Sequence, residues 1–185
     1  MKQRLFIGID LPPSVKLALD QYADRLIKNL NQFKKEPQDK FHITLKFLGS
    51  TEVRPEEILG VLNNKLKDQV SFAVTFTKAG IFVNTSTLLM VDVKNNEELL
   101  RTYHKINNES ETLGFPRDRR AYHPHVTLAR SNKILVSIPK LDEIVGYKPI
   151  LVSHITLFES KLTQTGSTYT KVGEVRLGGN SINCN

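Results

Sequence analysis

The first fifty residues alternate between short apolar runs and a longer helical pattern. Residues 5–9 are apolar and end at Asp10 and Pro12, which predicts a buried strand. From residue 15 to residue 30 large apolar side chains recur every three or four positions. This spacing predicts an amphipathic helix for which Ser14 can act as the N-terminal cap. A polar stretch then leads to a second strand-like segment, residues 41–48, so the whole region predicts a strand–helix–strand unit.

The second strand of this unit has two predicted faces, because successive side chains of a strand point in opposite directions. The apolar face is expected to consist of Phe41, Ile43, Leu45 and Phe47. The opposite face is expected to carry His42, Thr44 and Lys46. The alternation therefore predicts that Lys46 reaches the rim of any site that the histidine and threonine form.

The same order of segments recurs 83 residues later. Residues 88–93 form another apolar run, residues 99–113 show helical spacing, and a basic stretch leads to a second His-x-Thr-Leu segment. Leu5 precedes His42 by 37 residues, and Leu88 precedes His125 by 37 residues. Strands and helices mixed in this way predict an α+β fold. We expect internally duplicated strand–helix–strand units to form two pseudo-symmetric lobes around a central cleft, in one domain over residues 1–185.

Two His-x-Thr-Leu segments at equal depth in duplicated units indicate one shared site. Alternation places His42 with Thr44, and His125 with Thr127, on one face of each strand. Two imidazoles with an ordinary pKa of about 6.5 allow one ring to be neutral and the other charged. Such a pair can remove a proton from water and give one to a leaving oxygen, while hydroxyl groups donate to oxygens that gain charge. The pattern favours a phosphodiester substrate and requires no metal or other cofactor.

Composition narrows the class of partner. Lysine and arginine outnumber aspartate and glutamate 26 to 19, and the resulting net charge of +7 favours nucleic acid or phosphate esters. The single cysteine, Cys184, excludes a disulfide framework and a cysteine-based metal site. No apolar run is long enough to span a membrane, so we expect a cytoplasmic protein without a membrane partner. A chain of 185 residues can bury a sufficient core alone, so we expect a monomer.

Three segments carry a resemblance to a known family. They are RLFIGIDLP at residues 4–12, HITLKFLG at 42–49 and HPHVTLAR at 123–130. The C-terminal LFES at 157–160, with Gly166 and Tyr169 beyond it, extends the likeness over nearly the whole chain. In combination these segments resemble the bacterial and archaeal RNA 2′,3′-cyclic phosphodiesterases, also called 2′-5′ RNA ligases, of the two-histidine phosphoesterase superfamily.

The resemblance implies hydrolysis of a 2′,3′-cyclic phosphate, on an RNA end or a nucleotide, to a 2′-phosphate. It also implies reversible 2′-5′ RNA ligation at the same site. The resemblance assigns the proton donor to His42 and the proton acceptor to His125, but pseudo-symmetry leaves the opposite assignment open. It assigns Thr44 and Thr127 to the phosphate oxygens.

Arginines near the second motif are further candidates for substrate binding. The family pattern has an arginine at the position of Arg130, which can bind phosphate or stack on a base. Strict alternation points Arg130 away from His125 and Thr127, unless the strand twists or ends after Leu128. The preceding loop carries Arg117, Arg119 and Arg120. These three arginines have two possible interpretations: they form a lip that attracts RNA, or they belong to an ordinary solvated loop.

A third His-x-Thr-Leu segment, residues 154–157, has no strand–helix unit in front of it. We expect Ile155 and Leu157 to be buried and His154 to face solvent or the rim of a sheet.

Two other functions are compatible with the sequence. One is a related cyclic phosphodiesterase for a non-RNA small molecule, and the other is a non-catalytic RNA-binding domain whose histidines contact phosphate. Two complete motifs favour the enzyme, because a binding module needs charge more than a titrating pair.

Overall fold

The computed structural model describes residues 2–28, 30–83, 85–134, 148–164 and 166–178. Cys184 lies outside these ranges. The described residues form ten strands, three α-helices and a short 3-10 helix at Gln38–Lys40. The strands are β1 Gln3–Asp10, β2 Lys34–Lys35, β3 His42–Thr51, β4 Phe72–Val74, β5 Phe76–Val83, β6 Thr87–Val93, β7 His125–Ser131, β8 Ile150–Val152, β9 His154–Thr163 and β10 Gly166–Arg176. The helices are α1 Pro13–Ile27, α2 Pro55–Leu66 and α3 Glu97–Thr112.

Two four-stranded sheets dominate the described residues. The first has the order β10-β9-β1-β3 and the second the order β2-β7-β6-β5. Every neighbouring pair in both sheets is antiparallel. Strands β4 and β8 form a separate two-stranded sheet. The predicted mixture of helices and sheets is therefore confirmed.

The helices pack one apolar side against the sheets. Helix α1 buries Leu19, Tyr22 and Leu26, which belong to the spacing that predicted it, and also Ala23. The predicted N-terminal cap is wrong, because the helix begins at Pro13 and Ser14 lies inside the first turn. Proline is favoured at the first helical position, where its fixed φ suits the helix and its missing N–H is no loss. Each helix in the described ranges falls short of the length and apolar character that a membrane crossing requires.

Strands β3 and β7, which carry the first two His-x-Thr-Leu segments, contain a β-bulge at the same place. Between β1 and β3, the partner of Ile7 is Lys46 and the partner of Gly8 is Thr44, so Leu45 is the extra residue. Between β6 and β7, the partner of Leu89 is Ala129 and the partner of Met90 is Thr127, so Leu128 is the extra residue. A bulge places two residues opposite one and interrupts the alternation of faces. The residue after each leucine is consequently buried, and the next one is turned outward.

The bulge overturns the expectation for Lys46. Its side chain is 1% exposed and points into the protein, away from the face of His42. There Nζ donates to Asn107 Oδ1 at 2.9 Å and to the carbonyl oxygen of Pro116, and it lies 3.1 Å from a carboxylate oxygen of Asp118. Buried charges require such partners. Lys46 therefore holds the loop after α3 against β3 and takes no part in the rim of the site.

Tyr122 provides a second tie between that loop and β3. Its hydroxyl donates to the backbone oxygen of Thr44 at 3.1 Å, and its ring stacks on Tyr103 of α3 with a centroid separation of 4.0 Å. The loop that leads to His125 is thus fixed to the strand that carries His42.

Replacement of Lys46 tests this anchor. We expect Lys46→Ala to lower the free energy of unfolding by about 3 kcal/mol, because it removes a buried cation from hydrogen-bonding partners and leaves a cavity. Lys46→Met keeps the packing of the stem and is expected to cost less. Denaturant unfolding measures both, with the exposed Lys67→Ala as a control within about 0.5 kcal/mol of the parent. An alanine variant as stable as the control would contradict the anchoring role.

Candidate active site

His42 begins β3 and is oriented by the backbone immediately before it. Its Nδ1 lies 2.6 Å from the carbonyl oxygen of Lys40, and its Nε2 lies 2.9 Å from Thr44 Oγ1. Since a carbonyl oxygen only accepts hydrogen bonds, Nδ1 carries the hydrogen and donates. In the neutral ring Nε2 therefore carries no hydrogen and accepts from the Thr44 hydroxyl, which the alternation placed beside it.

His125 begins β7 with the same local geometry. Its Nδ1 lies 2.8 Å from the carbonyl oxygen of His123, again two residues earlier in the chain. This contact fixes the tautomer in the same way and leaves Nε2 available. In the sheets, Asp10 is the register partner of His42 and Asp92 is the register partner of His125. Both predicted catalytic histidines thus sit at equivalent strand positions with one nitrogen occupied.

Strands from the two four-stranded sheets contribute to one small cavity. It is lined by Glu36, Lys40, His42, Thr127, Arg130 and Tyr169. His125 lies near enough for its charge to influence the titration of His42. Of the five predicted site residues, His42, Thr127 and Arg130 line the cavity, Thr44 is bonded to His42, and His125 is an electrostatic neighbour of His42.

An aromatic cluster surrounds the His42 ring. Phe6 lies 4.8 Å from it, Tyr169 5.4 Å and Phe158 5.7 Å, measured between ring centroids. Gly8 allows this packing, because a Cβ atom there would lie 2.8 Å from the carbonyl oxygen of Ile43 and 3.4 Å from Cδ2 of His42. The cluster fixes the plane of the imidazole and shields it from water.

Burial lowers the pKa of His42 to about 4. The loss of water penalises the charged ring, and the Lys40 carbonyl, which favours it, only partly compensates. The positive charges of His125, Lys16 and Arg130 lower the pKa further. In the unliganded protein at neutral pH, His42 is therefore uncharged.

Burial also lowers the pKa of His125, but the surrounding charges are mixed. The His123 carbonyl and the Asp92 carboxylate favour the charged ring, whereas the positive charges of His123 and Arg130 oppose it. Asp92 also accepts a hydrogen bond from His123 Nε2 at 2.9 Å. At His125 the Asp92 carboxylate therefore raises the pKa and partly offsets the effect of burial. At His42 every neighbouring charge lowers the pKa further.

Arg130 lies on the site face, contrary to strict alternation, because the bulge at Leu128 shifts the strand by one residue. Its Nε donates to Glu36 Oε1 at 2.5 Å. Glu36 belongs to the polar stretch before β3. The sequence analysis did not place it in the site, because it contacts Arg130, which lies 94 residues away in the sequence. Tyr169, on β10, was missed as a site residue for the same reason.

The remaining sequence candidates lie outside this cavity. Arg117, Arg119 and Arg120 are exposed on the loop that Lys46 holds through Asp118. His154 is exposed, whereas Ile155 and Leu157 are fully buried, so the expectation for the third His-x-Thr-Leu segment is confirmed.

Comparison with known proteins finds one family and relatives that share one name. The 2′-5′ RNA ligase superfamily matches residues 11–160. The RNA 2′,3′-cyclic phosphodiesterase of Escherichia coli (strain K12) is 25% identical over 173 residues, which cover 91% of this chain and 93% of the relative. The protein of the same name from Bacillus subtilis (strain 168) is 30% identical over 135 residues, 70% of this chain and 72% of the relative.

The fold is also found among solved structures. The crystal structure of E. coli LigT in apo form superposes with a TM-score of 0.81 at 24% sequence identity, and the match covers 97% of this chain and 99% of that one. The likeness extends over both four-stranded sheets and confirms the mixed helix-and-sheet fold.

Replacement of Asp92 tests the origin of the difference between the two imidazoles. We expect Asp92→Asn to lower the pKa of His125 further, because it removes the carboxylate that favours the charged ring. NMR titration of the histidine ring resonances measures this pKa, and Asp92→Glu, which keeps the charge, is the matched variant. A His125 pKa that stays constant or rises in Asp92→Asn would contradict the account.

Proposed function

The chain belongs to the 2′-5′ RNA ligase superfamily, and we propose that it hydrolyses 2′,3′-cyclic phosphates on RNA ends or nucleotides to 2′-phosphates. The observation that carries the proposal is the matched pair of imidazoles. Each is tied at Nδ1 to a carbonyl two residues before it, so Nε2 is the nitrogen that can take part in proton transfer. Relatives that bear the name RNA 2′,3′-cyclic phosphodiesterase support the same reaction.

We propose further that residues 1–185 form one domain of two duplicated lobes around a central cleft. The 83-residue offset relates the bulges at Leu45 and Leu128 and the carbonyl groups of Lys40 and His123. A cavity lined from both four-stranded sheets supports the placement of the cleft between them. In this arrangement the imidazole of one lobe lies on one side of the phosphorus atom, and the imidazole of the other lobe lies on the opposite side.

The proposed reaction is an in-line displacement at phosphorus. His125 Nε2 takes a proton from water as the water oxygen bonds to phosphorus, and His42 Nε2 gives a proton to the 3′ oxygen as its bond to phosphorus breaks. The product carries a 2′-phosphate and a free 3′-hydroxyl. Exchange with solvent then returns a proton to His42 and removes one from His125. Ligation would follow the same path with the 5′-hydroxyl of a second strand in place of water: its proton goes to His125, its oxygen bonds to phosphorus, and the 3′ oxygen leaves with the proton of His42, which gives a 2′-5′ linkage.

Thr44, Thr127 and Arg130 are proposed to stabilise the non-bridging oxygens. Hydroxyl and guanidinium donors aimed at oxygens that gain charge lower the barrier most effectively in a site sheltered from water. Arg130 stays paired with Glu36 in the unliganded protein, so phosphate competes for the same guanidinium. With two imidazoles for the protons and these donors for the charge, the reaction requires no metal ion and is expected to survive EDTA.

The bound phosphate itself is proposed to charge the donor. In the unliganded protein the pKa of His42 is about 4, which favours the neutral ring. A phosphodiester anion close to the ring favours the charged form and raises that pKa. The opposite assignment, with His42 as the base and His125 as the acid, requires no such shift for His42, and so it needs a direct test.

Removal of either imidazole is expected to stop turnover. His42→Ala and His125→Ala should each reduce kcat on adenosine 2′,3′-cyclic phosphate about 10²–10⁴-fold, the usual contribution of one general acid or base. Chromatography of the nucleotide products measures this and shows which ester bond breaks. His154→Ala, which removes an exposed histidine with the same sequence neighbours, is the matched control. Undiminished turnover in either alanine variant would refute the mechanism.

A substrate with an activated leaving group separates the acid from the base. On a p-nitrophenyl phosphodiester, departure of the leaving group needs no proton, so the variant that lacks the acid should recover most of its activity. We expect recovery in His42→Ala and none in His125→Ala, measured by p-nitrophenolate release. Recovery in His125→Ala alone would reverse the two roles.

The pH dependence of turnover follows from the lowered pKa values. Because both free imidazoles titrate below their ordinary range, we expect a bell-shaped profile of kcat/KM with its maximum below pH 6.5. The profile of kcat, which reports the complex, should have its maximum at higher pH because the anionic substrate raises both pKa values. Initial rates between pH 4 and pH 9 test whether the maximum of kcat lies at higher pH than the maximum of kcat/KM. A kcat/KM maximum on the alkaline side of the kcat maximum would contradict it.

A further inference from the structure

A carboxylate lies in the lining of the small cavity, where the reaction places a phosphate. It belongs to Glu36, the only acidic residue among the described residues of that lining. Its Oε1 accepts from Arg130 Nε at 2.5 Å, and its Oε2 lies 3.6 Å from Lys40 Nζ. The imidazole of His42 is neutral in the unliganded protein at neutral pH. Two cations against one carboxylate therefore leave the lining with a net charge of +1.

The backbone holds this carboxylate at the cavity. The N–H of Glu36 donates to the carbonyl oxygen of Leu128 at 2.8 Å, immediately after the two residues of β2 that pair with β7. Pro37 follows and restricts Glu36 to an extended conformation. Leu128 is the extra residue of the bulge that turns Arg130 toward the site. The same segment of β7 thus fixes the guanidinium and the carboxylate, so a phosphate that binds Arg130 lies beside Glu36.

The substrate and the product of the proposed reaction differ in charge. A cyclic phosphodiester has a single ionisable oxygen and carries one negative charge. The 2′-phosphate is a monoester, whose second ionisation has a pKa of about 6, so it carries nearly two negative charges at pH 8. A lining with a net charge of +1 matches the diester and is one positive charge short of the monoester.

We propose that Glu36 is a specificity-determining residue, which favours the singly charged cyclic diester over the doubly charged monoester and so promotes release of the product. The assignment rests on the proposed function, since it takes the 2′-phosphate as the product. Lys40 and Arg130, and Arg4 in the groove that continues from the cavity, favour the doubly charged ligand, and Glu36 opposes them. A repulsive contact with the competing ligand is a common source of specificity.

The test compares two ligands that differ in charge. One is adenosine 2′-phosphate, and the other is its methyl phosphate ester, which carries a single negative charge at every pH used. Calorimetry at pH 8 measures the Kd of both for the parent and for Glu36→Gln, which loses the charge and keeps an acceptor for Arg130. We expect Glu36→Gln to gain about tenfold in affinity for adenosine 2′-phosphate relative to the ester. At pH 5, where the monoester is mainly singly charged, this gain should disappear.

Asp39→Asn is the matched control. It removes a carboxylate three residues away, from the lining of the groove but not of the cavity, and should keep the parent ratio of the two Kd values. Asp39 is exposed and Glu36 is partly exposed, so the folded state is expected to survive both changes. An equally large gain in Asp39→Asn would overturn the assignment to Glu36. Equal changes for both ligands in Glu36→Gln would also overturn it, because the carboxylate would then only position Arg130.

Product inhibition tests the same role during turnover and separates the two proposals. With adenosine 2′,3′-cyclic phosphate as substrate at pH 8, the inhibition constant of adenosine 2′-phosphate divided by KM should fall about tenfold in Glu36→Gln. A parent protein that binds both ligands but does not turn over the cyclic phosphate contradicts the proposed function, and with it the role in product release. A parent protein that turns it over, with a ratio that Glu36→Gln leaves unchanged, overturns the role of Glu36 and leaves the proposed reaction standing.

Discussion

The β-bulge at the leucine of the first two His-x-Thr-Leu segments is the constraint on which the site depends. Before the bulge, each strand presents an imidazole and a hydroxyl on one face and buries the residues between them. At Leu45 and Leu128 the extra residue reverses the alternation. Two consecutive residues then enter the core, and Phe47 and Arg130 are turned to the face of the site. Without the bulge, the lysine at position 46 would lie beside His42, and the arginine would lie in the core.

Small differences between equivalent positions give two identical motifs different electrostatics. The carbonyl that fixes the imidazole belongs to Lys40 in one case and to His123 in the other. The register partner of His42 is Asp10, whose carboxylate is neutralised by Lys16 and Lys171. The partner of His125 is Asp92, which raises the pKa of that imidazole directly. The backbone holds the two imidazoles in the same way, but the charged residues around them differ. This difference is sufficient to give the two rings different pKa shifts.

The sequence predicted correctly those side-chain positions that follow from the local geometry of a strand. The alternation was enough to predict that each histidine shares a strand face with its threonine, because the backbone of a strand determines which face a side chain occupies. The same reasoning failed at Lys46 and was ambiguous at Arg130, since a bulge depends on how two strands pair and leaves no mark in the local pattern. Glu36 and Tyr169 were missed because their contacts with the site depend on how distant strands come together. Burial of Lys46 followed from partners on α3 and on its following loop, which no local periodicity reveals.

Burial of His42 connects the fold to the chemistry. The aromatic rings that hold the imidazole in place also exclude the water that would stabilise its charge, so rigidity and a low pKa arise from the same contacts. On the proposed mechanism, His42 stays neutral until the phosphodiester anion binds, because the charges that act on the ring in the protein alone all lower its pKa. Protonation and substrate binding are then coupled, since each favours the other by the same free energy. On the same proposal, the charge of Arg130 lowers the pKa of His42 before the phosphate binds, and the phosphate that this guanidinium attracts offsets that effect.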